Sequence, residues 1–214
     1  MAHIILLGDS IFDNGVYVSG GPDVVRQVRD ILPDGWQASL RAVDGAVANG
    51  VASQLRSIPP DATHLIVSVG GNDALGASYL LGQAVRNVGE AVALLEQAQR
   101  RFAADYDRMI EAVLALGLPT AVCTIYDTPP SAENHKIIRT ALAVFNDVIT
   151  RAAFPRGLPL IDLRLICDED EDYANPIEPS VQGGAKMARA IVKVAAGDRQ
   201  DCSWVAAGPV TNAD

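Results

Sequence analysis

The sequence predicts a three-layer α/β/α domain built on a parallel sheet of about five strands. Short apolar runs bounded by turn residues alternate along the chain with longer segments of helical periodicity, the pattern of strands joined by helical crossovers. The runs are apolar at nearly every position, as expected of strands buried on both faces. The length, 214 residues, fits one such domain, and 49% apolar with 20% charged residues is an ordinary globular balance.

The expected strands are His3–Leu7, Ser39–Val43, His64–Val69, Thr120–Tyr126 and Leu158–Leu163, each of buried-strand length. Between the first two, Val24, Val25, Val28, Ile31 and Leu32 recur at helical spacing before the turn Pro33-Asp34-Gly35. Gly50 to Arg56 reads as a short helix. Val85, Val88, Val92 and Leu95 mark a long helix or helical pair reaching toward Leu116. The cleanest amphipathic stripe is Ile137, Ile138, Ala141, Leu142, Phe145, Val148 and Ile149, with Ser131 as the expected N-cap. A last helix spans about Gly184 to Ala195, and the acidic run Asp168 to Asp172 reads as a solvated loop. The domain is expected to occupy residues 1–196, with 197–214 as a C-terminal arm or partly disordered tail.

Seventeen Lys and Arg against 26 Asp and Glu give a net charge of −9. This argues against nucleic-acid or anionic-membrane partners, which require a basic face. No apolar stretch approaches a membrane span. The N-terminus lacks a basic segment and its apolar run, Ile4 to Leu7, is too short for a signal peptide, so a cytoplasmic location is expected. Cys123, Cys167 and Cys202 have no paired spacing and read as free thiols. Oligomeric state is open, and a homo-oligomer is compatible with the sequence.

In such folds ligands bind where the carboxyl ends of the strands open into a crevice. After the first expected strand stand Gly8, Asp9 and Ser10, where a hydroxyl held at the sheet rim can serve as a nucleophile given a base and oxyanion donors. After the second comes Gly45, which lets a backbone N–H approach a ligand closely. After the third come Gly70, Gly71, Asn72 and Asp73, and the Asn72 amide is a suitable oxyanion donor. Each feature alone is an ordinary turn or cap.

In order, however, these strand ends resemble the SGNH (GDSL) hydrolase family. The segment from Asn175 through Pro179 and Ser180 to Gly183 and Gly184 resembles that family's last motif. The resemblance runs from residue 8 to 188. It implies a flavodoxin-like fold and hydrolysis of esters or related acyl bonds in a small-molecule substrate. It further implies Ser10 as nucleophile and an oxyanion hole from the N–H groups of Ser10 and Gly45 with the Asn72 side chain.

The departure is at the base. Where the family has Asp and His, this sequence has Asn175 and Glu178, and no histidine follows His135. His3 lies on the order of 20 Å from Ser10 along the first strand, and His64 opens the third strand at the same wrong end. His135, after the fourth strand, is the remaining imidazole candidate; its bland reading is a helix-start residue.

Glu178 can act as base if its pKa is raised. The carboxylate is ordinarily about two pH units weaker than imidazole, a deficit of about 3 kcal/mol. Burial beside Ile177 and Pro179, or proximity to Asp9, would raise it, and Asn175 would orient Glu178 by a hydrogen bond without adding charge. The expected function is therefore a serine esterase with Ser10, Gly45, Asn72 and Glu178. The alternative is an impaired protein of the same fold that binds an acyl or carbohydrate ligand. A phosphate- or nucleotide-binding module lacks a glycine-rich cradle. A metal site at Asp9, Asp73 and the acidic run lacks ligand spacing, so neither metal nor cofactor is expected. Residues 75–101, longer than a simple crossover needs, form either a cap over the crevice or an ordinary outer helix.

Overall fold

The computed structural model describes residues 2–200, 202, 203 and 205. Its strands are β1 (His3–Gly8), β2 (Gln37–Leu40), β3 (His64–Ser68), β4 (Thr120–Cys123), β5 (Leu160–Ile161), β6 (Tyr173–Asn175) and β7 (Glu178–Pro179). Its helices are α1 (Val24–Ile31), α2 (Val51–Gln54), α3 (Gly71–Gly76), α4 (Val88–Leu114), α5 (His135–Ala153), α6 (Leu163–Ile166) and α7 (Val181–Ala195). Strands β1 to β5 form a parallel sheet in the order β2-β1-β3-β4-β5, the doubly wound order whose switch point lies between β1 and β3.

The continuous apolar strands are explained by two cores. Alternate β1 residues serve opposite faces: Ile4 and Leu6 pack with α1 and α7, Ile5 and Leu7 with α4 and α5. All four are fully buried. His3 and His64 open β1 and β3 at the amino end of the sheet, as expected. There His3 Nε2 lies 2.8 Å from Ser39 Oγ, and His64 stacks on Trp36.

Three local expectations are corrected. The second strand begins at Gln37, earlier than Ser39, although Ala42 and Val43 still donate to Leu6 and Gly8 of β1. Helix α5 is flanked by Asn134, not by Ser131, whose N–H donates to Asp170 Oδ1 at 2.9 Å. Val88 and Val92 of α4 are exposed, and its core face begins at Ala98. Most of the segment from residue 197 onward lies outside the described residues. Among the described residues no helix is long and apolar enough to cross a membrane, and all three cysteines are free.

Candidate active site

Ser10 sits in the turn that leaves β1, and that turn is held closely against β3. Gly8 has φ +126°, and a Cβ there would lie 1.7 Å from Ser68 O, so only glycine allows the approach. The Gly8 peptide is gripped from both sides by buried Gln54, whose Oε1 accepts from Gly8 N–H at 2.9 Å while Nε2 donates to Gly8 O at 2.7 Å. Asp9 N–H donates to Ser68 O, and Asp9 O accepts from Phe12 and Asp13. The Ser10 position is therefore set by β3 and α2 as well as by its own strand.

Asn72 lies in the first turn of α3, directly after β3. Its Nδ2 donates one hydrogen to Ala46 O at 3.0 Å, which leaves the second amide hydrogen for another acceptor. The neighbouring Asp73 carboxylate accepts from Ala48 N–H at 3.0 Å. Gly45 occupies the turn Val43–Ala46 with φ +76°. It is exposed and does not line the cavity described below, but its neighbours link it to the site. Ala46 touches Asn72, and Asp44 is near enough to push the Glu178 carboxyl upward.

Glu178 is delivered by an element too short to be read from periodicity. Strands β6 and β7 form a two-stranded antiparallel ribbon around Pro176-Ile177, with Asn175 opposite Glu178. The carbonyls on either side of Glu178 are both clamped. Tyr126 Oη donates to Ile177 O at 2.8 Å, and Asn14 Nδ2 donates to Pro179 O at 3.2 Å. Asn14 is fully buried and also accepts from Val24 N–H at 2.9 Å. Burial raises the Tyr126 phenol well above its ordinary range, so it remains a donor. Sequence reasoning missed Asn14 and Gln54, and it placed Tyr126 only at the end of the fourth expected strand. Asn14 and Pro179 are 165 positions apart, and no local signal connects them.

The Ser10 hydroxyl lies close enough to Glu178 to favour its ionised form, and Glu178 is 3% exposed with its Oε2 buried and without a partner. Loss of water raises Glu178 to about 7, with Asp44 adding to the effect and the nearby Ser10 hydroxyl opposing it. Asp9, 2% exposed, is also raised to about 7, chiefly by burial, with further repulsion from Glu178 and Asp73. A hydroxyl beside a carboxylate of this strength, with amide donors nearby, is a constellation able to activate an oxygen nucleophile.

These groups open onto a cavity of about 250 Å³ lined by Ser10, Asn72 and Glu178 at one end and by apolar residues of α3, α4 and α5 beyond. Within residues 75–101, Leu75, Ala77, Leu81, Leu95 and Ala98 supply one wall. The capping alternative therefore describes this segment better than an ordinary outer helix. The first half of the α5 stripe, Ile138, Ala141 and Leu142, faces this cavity, while its second half enters the core.

Residues 6–186 match the GDSL-like lipase/acylhydrolase family. The chain belongs to this family. Solved structures share its fold. A lipase, Lip_vut3, from a goat rumen metagenome is 17% identical over 92% of this chain and 98% of that one, with a TM-score of 0.71. An extracellular lipase of Streptomyces rimosus is 17% identical over 92% and 99%, with a TM-score of 0.65. Est24, a carbohydrate acetylesterase of Sinorhizobium meliloti, is 11% identical over 92% and 99%, with a TM-score of 0.62. No curated protein matches the sequence.

As a member of this hydrolase family, the chain carries its departure in the last motif, and two expectations about that departure are corrected. Asn175 does not orient Glu178 through its side chain; Asn175 Oδ1 accepts from Ile177 N–H at 2.9 Å and so shapes the turn instead. His135 does not line the Ser10 cavity. Its Nδ1 lies 2.9 Å from Thr128 O, and the ring lines an adjoining cavity with Asp127, Arg139 and Arg164.

Proposed function

We propose that the protein hydrolyses carboxylic esters with Ser10 as nucleophile and Glu178 as general base. The observation that carries the reading is the Ser10 hydroxyl set beside a buried Glu178 carboxyl at the edge of one cavity, with that carboxyl raised to about 7. That value offsets the weakness of an ordinary carboxylate, because a base near the working pH is ionised and still strong enough to take a proton.

In the first half-reaction the Ser10 Oγ attacks the ester carbonyl while its proton passes to Glu178. The new oxyanion is stabilised by the Ser10 and Gly45 N–H groups and the free Asn72 Nδ2 hydrogen. As the C–O bond to the alcohol breaks, Glu178 returns the proton to the leaving oxygen, and an acyl-Ser10 ester remains. Water then gives a proton to Glu178 and attacks that ester, the tetrahedral adduct collapses, and Ser10 recovers its proton as the acid departs. Asn14 and Tyr126 support this cycle by fixing the backbone on both sides of the base.

The test is turnover of 4-nitrophenyl acetate by the wild type and by Ser10→Ala. Hydrolysis that disappears in the variant, with folding unchanged by circular dichroism, is expected. A folded wild type with no turnover of any ester would favour the alternative of a ligand-binding protein without catalysis.

A further inference from the structure

The cavity beside Ser10 is larger than an acetyl group needs, and its chemistry is one-sided. Its carboxyl lining residues are Asp9, Asp127 and Glu178, all at the strand-end side, and its remaining ionisable group, Tyr126, stays a neutral phenol. Among the described residues no lysine, arginine or histidine lines it, so an anionic substituent would meet repulsion and no partner. The opposite side is Ala74 and Leu81 from the segment after β3, Leu95 and Ala98 from α4, and Leu142 and Phe145 from α5. Such a surface offers a sugar or other polyol almost no hydrogen bonds in exchange for those lost to water.

Size sets the chain. An apolar protein cavity of roughly 150 Å³ accepts the six carbons of benzene. By proportion the 250 Å³ here accepts on the order of ten carbon atoms. We infer that the cavity binds an uncharged, unbranched aliphatic chain of about six to ten carbons, attached to the scissile ester on its acyl or its alcohol side. The assignment to a substrate rests on the ester-hydrolysis reading, whereas chain binding does not.

Two ester series separate the sources: 4-nitrophenyl alkanoates from acetate to dodecanoate vary the acyl chain, and n-alkyl acetates from ethyl to dodecyl vary the alcohol. In one of them kcat/KM is expected to rise by up to about fourfold per buried methylene and to peak between about six and ten carbons. Ala141→Leu, on the α5 wall, and Ala74→Leu, on the facing wall, should each move the peak to shorter chains and lower the octyl-to-ethyl ratio at least about tenfold. Profiles flat in both series, with acetate still cleaved, would overturn the inference and leave the hydrolase reading standing. If no ester is cleaved, calorimetric titration with neutral octanamide decides it. Binding that weakens in Ala141→Leu upholds the aliphatic site, and no binding to the wild type overturns it.

Discussion

Glu178→Gln removes the proposed base while keeping the shape of the side chain, and its effect can be worked from the structure. Taking Glu178 from 4.5 to about 7 disfavours its ionised form by about 3 kcal/mol, at about 1.4 kcal/mol per pH unit. The magnitude matches the deficit separating an ordinary carboxylate from imidazole. With a base titrating near 7, kcat/KM should rise roughly tenfold from pH 6 to pH 8 and level off above. An unshifted carboxylate would give almost no change across that range. In Glu178→Gln the rise should vanish and the plateau should fall about 10²- to 10⁴-fold. The assay is initial-rate hydrolysis of a 4-nitrophenyl ester, corrected for spontaneous cleavage, at constant ionic strength. Because Asp9 also titrates near 7, the Gln variant, not the midpoint alone, assigns the limb. A pH limb retained in Glu178→Gln, or a variant with wild-type rate, would refute the reasoning.

Asn72→Ala, which deletes a proposed oxyanion donor, should lower kcat about 10²- to 10³-fold with a smaller change in KM, measured by steady-state kinetics. Asp9→Asn should alter the pH dependence of stability. The folded-state pKa of Asp9 is raised from 3.8 to about 7, so its contribution is fully present below about pH 4 and lost as pH rises through 7. The variant should match the wild type in acid and exceed it at pH 8 by on the order of 4 kcal/mol in urea unfolding. Tyr126→Phe removes the donor to Ile177 O. It should cost about 1 kcal/mol of stability and lower kcat with little change in KM, since the base is displaced while the apolar cavity remains.

The sheet was legible because its central strands are apolar at nearly every position, a pattern that two-sided burial imposes and that Ile4 to Leu7 of β1 satisfy residue by residue. Ser10 and Asn72 were legible for the same reason: a residue directly after a parallel strand must emerge at the carboxyl edge. The base was half legible. Glu178 could be placed by the Pro179-Ser180 and Gly183-Gly184 frame around it, and the direction of its titration by its apolar neighbours. Its delivery was not, because β6 and β7 are three and two residues long and carry no periodicity. Asn175 misled because a residue opposite another on a ribbon need not bond to it through its side chain; here the tighter local turn to Ile177 N–H wins. Asn14 and Gln54 were invisible, since buried polar side chains that bind distant backbone have no sequence spacing at all. The α5 stripe shows the opposite error. It reads as core throughout, yet its first half lines the cavity, and an apolar face does not declare whether protein or ligand covers it.

The measurement that bears most directly on the Ser10–Glu178 pair is covalent labelling by a fluorophosphonate, followed by intact mass and peptide mapping across pH 5 to 9. A single adduct on Ser10, formed at a rate that rises through about pH 7 and slowed at least about a hundredfold in Glu178→Gln, is the predicted result. A folded protein that takes no label at Ser10, or labels equally fast without the Glu178 carboxylate, would contradict the account.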